Sequence, residues 1–427
     1  MLDDIPSTTH IATKNSVILA GEIRTVGDLL KEGHERFDVP LGIAAGVAFG
    51  AESQMSAIRA AAWLAASGRA GLITTLERLT SPTKESLLAE GMLLASADSA
   101  DVWGKPGLAL PYPGIRILTS GTTGVPKLVR HSWQSLYTGV AVRNPKPLRW
   151  LVTFQVGTYA WYQIVAPFLF RPGTELVASA EFSVPEMVHA AECGQVTAIS
   201  STPTFWRLAF LQCAESVLLR IPLQQISLGG EPVDQAILDS LDRLYPSASI
   251  THIFASTESG PAIVVSDRKA GFPAAWIDLE SEARGIRLNS GSLEVRTRWA
   301  ASEAAEWVST GDRVEMRGDR AFIVGRDGRT EINVGGLKVS TFDVEKVLLR
   351  CPGVLWCRVS AVKAPLVGQL VGADIVGGPD SGPATALVQA VSLFCGESLP
   401  DHMVPRFIRV LDKVPVGQNL KSEVARG

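Results

Sequence analysis

The ten residues Leu118 to Lys127 read Leu-Thr-Ser-Gly-Thr-Thr-Gly-Val-Pro-Lys. They close a mostly apolar run, Ile115 to Leu118, that reads as the end of a buried strand. Six small residues follow, four with hydroxyls and two glycines, and then Val125, Pro126 and Lys127. Such a loop can turn N–H groups and hydroxyls onto phosphate oxygens, while the lysine adds positive charge. Gly121 and Gly124 permit backbone angles that other residues resist. Taken alone, the stretch fits a polar turn after a strand equally well. It is not a Walker A loop. That motif needs Gly-Lys followed by Ser or Thr, whereas here Pro126 precedes Lys127 and Leu128 follows it.

The flanking sequence sets this loop in an α/β layer. A helix-like segment covers Val26 to Phe37, and Leu41 to Gly50 reads as a strand and a glycine-rich turn. Ser56 to Ser67 is alanine-rich and helical in pattern, Leu72 to Thr75 is a further strand, and Ser86 to Ser96 is expected to be a helix. That alternation predicts a parallel sheet. Beyond the loop, Trp133 to Val142 is expected to be helical. The rhythm then repeats in strands at Trp150 to Phe154, Glu175 to Ala178, Val196 to Ser200, Gln225 to Leu228 and Ser249 to Phe254. Helical segments intervene at Pro185 to Cys193, Pro203 to Ala214 and Asp234 to Leu244, so a second α/β unit spans about 130 to 265. From Gly285 onward, Gly291 to Arg298 and Arg320 to Val324 alternate with the period of half-buried strands, which predicts a small antiparallel module. The polar break Asp327-Gly328-Arg329 marks a boundary. We expect an N-terminal domain over residues 1–326 and an α+β domain over 327–427.

Composition narrows the partners. With 427 residues and 46% apolar content, the chain can build a large core. A net charge of −3 without basic blocks argues against nucleic acid or a membrane surface as the partner. No apolar run approaches the length of a membrane span, and the acidic start carries no secretory leader pattern. Five cysteines without a CxxC pair are expected to be reduced thiols in a cytoplasmic protein. The six histidines show no metal-ligand spacing.

Five further sites each admit two readings. Gly229-Gly230-Glu231 follows a strand; it can let a flat ligand lie on backbone, or be an ordinary strand-to-helix turn. Phe254-Ala255-Ser256-Thr257-Glu258 can stack a purine and hold Mg²⁺, or simply cap a helix. Thr310-Gly311-Asp312 can grip ribose hydroxyls or form a hairpin turn. Gly325-Arg326, with the Gly335-Gly336 segment after it, can be a hinge and hairpin or a plain linker. Lys421 can be catalytic or a solvated terminal lysine.

In this order the sites resemble the adenylate-forming superfamily, which comprises acyl- and aryl-CoA synthetases, peptide-synthetase adenylation domains and luciferases. Leu118 to Lys127 is similar to the family's Thr-Ser-Gly-Thr-Thr-Gly-x-Pro-Lys loop. Ala255 to Glu258 resembles its Gly-x-Thr-Glu motif, Thr310 to Asp312 its Thr-Gly-Asp, and Gly325-Arg326 the Gly-Arg before the hinge. Leu399 to Pro405, Val414-Pro415 and Lys421 resemble its C-terminal signature. The resemblance covers residues from about 112 to the end.

The resemblance implies two α/β subdomains, a β module and a mobile C-terminal lid. It implies a reaction in which a carboxylate attacks the α-phosphorus of ATP, pyrophosphate leaves, and a thiol displaces AMP from the acyl-adenylate. Thr119, Ser120, Gly121, Thr122, Thr123, Gly124 and Lys127 would hold the β- and γ-phosphates. Glu258 would bind Mg²⁺ and Thr257 the α-phosphate. Lys421 would bridge carboxylate and phosphate, Asp312 and Arg326 would fix the ribose, and Gly230, Glu231 and Phe254 would frame the adenine. Tyr159, Gly229, Ala255 and Ser256 would line the acid site.

Some positions depart from the family pattern. Leu420 replaces a glycine before the catalytic lysine, Gly417 replaces a Thr or Ser, and the hinge region has one extra residue beside Asp327. The part before the phosphate loop is short. Thr158 stands where amino-acid-activating members carry an aspartate, which disfavours an amino acid. Lys127-Leu128-Val129 and Ile332-Asn333 are similar to aryl-acid-activating members, so an aryl or acyl acid is expected. The thiol is CoA or, as a second reading, the phosphopantetheine of a separate carrier protein. A third reading is a member that binds nucleotide or acyl ligand without chemistry.

Overall fold

The computed structural model describes residues 10–41, 46–99, 101–103, 114–119, 127–137, 146–282, 284–301, 306–326, 331–335, 337–364, 368–378 and 381–415. These residues form four sheets. In the first, Leu93–Ser96, Gly46–Ala51, Ala70–Thr75 and Ile115–Thr119 run parallel, with Val102–Trp103 and Lys127–His131 antiparallel at the two edges. In the second, Ser249–Ser256, Gln225–Gly229, Ala198–Ser201, Arg149–Leu151, Glu175–Ala178 and Ser16–Leu19 run parallel between antiparallel edge strands Gly260–Val265 and Glu22–Thr25. Helices cover these sheets, so their strands read as near-continuous apolar runs. The third sheet is an antiparallel five-stranded module, Phe272–Pro273 to Arg320–Arg326. The fourth combines Glu331–Val334, Leu337–Ser340, Val354–Ala364, Gly368–Gly377 and Phe407–Val410 with helices Thr341–Leu348 and Ala384–Ser398.

The α/β expectation and its two-unit division match this architecture, with three local differences. The helix expected at Ser86 to Ser96 is instead Ser81–Ala89, opened by Pro82 and followed by Gly91 at φ +78°. Leu93–Ser96 then forms a fully buried strand. Periodicity alone cannot separate a short buried strand from a helix segment. Of the helix expected from Trp133 to Val142, Trp133–Leu136 is helical and 138–142 lie outside the described residues. The hairpin Ser16–Leu19/Glu22–Thr25 carried no sequence-level expectation, yet it pairs Val17 with Leu176 and completes the second sheet.

The two α/β units share one core. Trp63, Phe49 and Phe37 from the first unit join Trp161, Tyr162 and Phe168 of helix Tyr159–Phe170 in a continuous buried cluster. The backbone at Gly157, φ +75°, meets the first sheet so closely that a Cβ there would stand 1.8 Å from the Ile73 oxygen.

The C-terminal unit docks on the second. Trp356, Val376 and Val414 are buried in the cluster built around Phe205 and Trp206 of helix Pro203–Gln212. Arg317 of the third sheet pairs with Asp343 of helix Thr341–Leu348. Within this seam the Glu345 carboxylate accepts a hydrogen bond from Val359 N at 2.8 Å. Burial pushes its pKa from 4.5 up to about 7, against the opposing pulls of the Val359 N–H, Arg207 and Arg358. Those guanidiniums are themselves paired, Arg207 with Asp234 and Arg358 with Asp374. A carboxyl with a raised native pKa holds a proton that the unfolded chain has released. The contribution of Glu345 to stability is therefore fully present below pH 4.5 and is lost as pH rises through about 7. Glu345→Gln keeps an acceptor for Val359 N and removes the titration. It should melt higher than the parent at pH 8, with the gap closing toward pH 5. A gap independent of pH would refute the assignment.

Candidate active site

Two parallel strands end side by side at the carboxyl edge of the second sheet, Gln225–Gly229 and Ser249–Ser256, with Gly229 opposite Ile253. Ligands of open α/β sheets bind beyond such strand ends. The chain leaves the first strand through Gly230 at φ +81°, a left-handed turn that a side chain would strain. Gly229 sits where a Cβ would press on the Ile253 oxygen at 3.2 Å. The Glu231 carboxylate is occupied. It accepts from Thr204 N and from Thr204 Oγ1, both at 3.0 Å, and so caps the N-terminus of helix Pro203–Gln212. The carboxylate is thus engaged within the protein.

The second strand ends in a turn held from several sides. A register shift between Phe254 and Ala255 re-aims the strand just before it. Ser256 Oγ accepts from Ser259 N at 3.0 Å, and the Glu258 carbonyl accepts from Ala301 N at 2.8 Å. Gly260 follows at φ +70°, where a Cβ would stand 2.9 Å from the Trp299 oxygen. His131 Nε2 lies 2.7 Å from the Thr257 carbonyl. What the turn presents is the Glu258 side chain, exposed and without a hydrogen bond or ion pair among the described residues. The Phe254 ring is partly buried against the core of the third sheet, and Ala255 packs on the core shared by the two α/β units.

The loop singled out in the sequence joins the hairpin Ile115–Thr119/Lys127–His131, with Thr119 opposite Lys127. Arg78 donates from Nη2 to the Leu118 carbonyl at 2.8 Å, so the strand entering the loop is held from below. Lys127 is exposed. Ser120, Gly121, Thr122, Thr123 and Gly124 lie outside the described residues, as does Lys421. The hairpin reaches the turn at Glu258 through His131, whose ring packs 5.3 Å from that of Tyr159.

Tyr159 begins helix Tyr159–Phe170, which is capped by the Thr158 hydroxyl. Its phenol is buried and has no hydrogen-bond partner among the described residues. Desolvation holds its pKa far above the usual tyrosine value, so it remains a neutral hydroxyl at working pH. Asp312 and Arg326 stand directly opposite each other across the antiparallel strands Val308–Arg317 and Arg320–Arg326. Thr310-Gly311-Asp312 is not a hairpin turn but lies inside the strand Val308–Arg317, where its pairing with Ser292–Thr297 shifts register; Gly311 is at φ +69°, and Thr310 Oγ1 accepts from Asp312 N at 3.1 Å.

Direct contacts thus bring Lys127's strand, Tyr159 and the Thr257–Glu258 turn together. Strand pairing sets Gly229 to Glu231 beside them. Asp312 and Arg326 are register partners on the third sheet, and the connection that follows its strand Ser292–Thr297 reaches the turn through Ala301. His131 and Arg78 were not singled out in the sequence, because neither lies in a recognisable motif and their roles exist only through partners distant in the chain.

Comparison with known proteins identifies the family and the fold. The family model for AMP-binding enzymes matches residues 77–282, and the model for the AMP-binding enzyme C-terminal domain matches 343–421. Together they cover about two thirds of the chain. The fold is shared with an anthranilate CoA ligase, AuaEII, in complex with anthranoyl-AMP, which superposes with a TM-score of 0.71 over 97% of this chain and 93% of that one, at 16% identity. The chain belongs to the adenylate-forming superfamily of AMP-binding enzymes. It is 25% identical over 364 residues to the 2-succinylbenzoate–CoA ligase of Bacillus velezensis, covering 75% of this chain and 70% of that protein. It is 25% identical over 350 residues to the 4-chlorobenzoate–CoA ligase of a Pseudomonas species, covering 72% and 65%. The chain spans between 51% and 70% of the length of the first curated relatives it matches.

Proposed function

We propose that this protein activates an aryl or acyl carboxylic acid with ATP, releasing pyrophosphate, and transfers the acyl group from the adenylate to the thiol of CoA. The observation that carries this reading is the turn Thr257–Glu258. It is held rigidly at the edge of the second sheet and tied to the strand that leaves the Thr119–Lys127 loop.

Carboxylate and triphosphate repel each other, so their reaction needs fixed positive and donor groups. Lys127 and the loop N–H groups meet the pyrophosphate end. The Thr257 hydroxyl meets the α-phosphate. Glu258 suits Mg²⁺, a hard cation that takes one or two carboxylates together with substrate phosphates. Among the described residues no three His, Cys, Asp or Glu side chains gather into a metal cluster, so Glu258 would share such an ion with the nucleotide. When bound, the ion would neutralise phosphate charge. Asp312 and Arg326 take the ribose, and Gly230 with Phe254 borders the adenine. Gly229, Ala255, Ser256 and Tyr159 border the acid. Lys421 neutralises the charge that develops between carboxylate and phosphorus. Closure of the C-terminal unit protects the labile adenylate from water.

CoA ligases outnumber carrier-protein ligases among the relatives named, which supports CoA, while a fatty acid–[acyl-carrier-protein] ligase among them keeps carrier-protein loading as the second reading. The five free cysteines, three of them buried, support a reducing, cytoplasmic setting. Among the described residues no helix is long and apolar enough to cross a membrane.

ATP–pyrophosphate exchange over aryl, fatty and amino acids tests the reading. An aryl or acyl acid should drive exchange, CoA should then yield its thioester, and Lys421→Ala should abolish the exchange. No exchange with any acid, or a Lys421→Ala variant as active as the parent, overturns it.

A further inference from the structure

The strand Lys127–His131 leaves the phosphate loop and ends in a histidine that is 1% exposed. Both ring nitrogens of His131 have partners. Nε2 is 2.7 Å from the Thr257 carbonyl, and Nδ1 is 2.9 Å from Ser135 Oγ. A carbonyl oxygen only accepts, so Nε2 carries a proton and donates it. Ser135 belongs to a reciprocal cap. Its Oγ accepts from Ser132 N at 3.1 Å, and its N donates to Ser132 Oγ at 3.0 Å. In the neutral ring Nδ1 then accepts, so the Ser135 hydroxyl donates to it rather than to the Ser132 carbonyl 3.0 Å away. The Tyr159 ring packs on the imidazole from the side of the second unit. The backbone of His131 is fixed by pairing with Ile115 in the first sheet.

The imidazole thus joins two structures from different sheets, 126 residues apart in the chain. On one side is the strand whose first residue, Lys127, closes the loop. On the other is the carbonyl of the residue before Glu258. The other ties on this turn, among them Ala301 N to the Glu258 carbonyl, Thr297 Oγ1 to the Ser259 carbonyl and Ser259 N to Ser256 Oγ, come from the turn itself and from the segment 297–301 beside the third sheet. If His131 were only a buried core residue, its hydrogen bonds would need no particular relation to the two candidate phosphate-binding elements.

We propose that His131 is a positioning residue for adenylation: its Nε2–H on the Thr257 carbonyl sets the Thr257–Glu258 turn in register with the strand leaving the phosphate loop, so that both meet the triphosphate in one geometry. This rests on the assignment of Thr119–Lys127 and Thr257–Glu258 to the nucleotide. An error of about 1 Å in such a constellation can cost two orders of magnitude in rate.

Side-chain geometry supplies the test. The glutamine amide nitrogen reaches the place of Nε2, whereas the asparagine amide nitrogen reaches only that of Nδ1. In acid-dependent pyrophosphate exchange with Mg-ATP on the full chain, His131→Gln should keep most of the activity. His131→Asn should lose about tenfold to hundredfold in kcat/KM for ATP and need more Mg²⁺ for half-maximal rate. The KM for the acid should not change in either, and the melting temperatures of the two variants should agree. Equal exchange by the Asn and Gln variants, or a loss that follows melting temperature with no change toward Mg-ATP, overturns the proposal. Glu258→Gln in the same assay separates the two levels. If Glu258→Gln exchanges normally, the nucleotide assignment itself is wrong. If it is inactive while His131→Asn is normal, only the positioning role fails.

Discussion

Replacing Glu258 by glutamine should cut acid-dependent pyrophosphate exchange about 100-fold or more while leaving the melting temperature nearly unchanged. The two halves of that expectation come from the same geometry. The turn is held by backbone groups, through the Thr257 and Glu258 carbonyls and Ser259 N, so its shape does not depend on the Glu258 side chain. The carboxylate is exposed and has no partner among the described residues, so removing its charge leaves nothing unpaired. An exposed carboxylate on a stiff turn contributes little to stability, so a loss of exchange without a loss of stability would point to the metal-binding role proposed for Glu258. Glu258→Asp retracts the charge by one methylene and should fall between parent and Gln. The check is exchange rate against Mg²⁺ concentration, beside thermal unfolding. Unchanged exchange removes Glu258 from the site, and a lowered melting temperature in step with activity makes its role structural.

Among the described glycines, Gly157→Ala meets the closest contact and should cost at least about 3 kcal/mol. Two costs combine there. The residue sits at φ +75°, a conformation that alanine resists. The new Cβ would also stand 1.8 Å from the Ile73 oxygen, an impossible contact with backbone, so the two α/β units must separate. Gly68 provides the control. It caps helix Gln54–Ser67 at φ +66°, and a methyl group placed there would meet nothing within 4 Å, so Gly68→Ala carries the strain alone. Denaturant unfolding of the two variants should differ by about 2 kcal/mol or more. Equal losses would mean that the contact between the units is loose.

Much of the site was legible in the sequence because its parts are local. A strand end followed by small residues, a Gly-Gly turn, a Thr-Glu pair and a Thr-Gly-Asp triplet each announce themselves within a few residues. The structure places Gly229 to Glu231 and Ala255 to Glu258 at neighbouring strand ends, and Asp312 opposite Arg326. Other features depend on partners far away in the chain. The Glu231 carboxylate is engaged by Thr204, 27 positions earlier, a pairing no local pattern announces. His131 carries no motif, and its link to Thr257 exists only once both sheets are in place. The sequence pattern puts Leu93–Ser96 at the end of a helix, and its identity as a strand emerges only when the sheet supplies its neighbour, Gly46–Ala51.

The hairpin at Ser16–Leu19 and Glu22–Thr25 bears on how the chain reaches this state. Its partner strand is Glu175–Ala178, and the Ser16 hydroxyl meets a Glu175 oxygen 159 residues away. During synthesis the hairpin emerges long before that partner and waits until the first α/β unit and part of the second have followed. A two-stranded ribbon is marginal in water by itself. The far edge of the second sheet should therefore close late, after a long loop has formed, which makes it a slow step of high contact order. Until then the edge of Glu175–Ala178 is open to pairing with other chains. The order of elements along the chain thus makes a segment synthesised early one of the last to find its place.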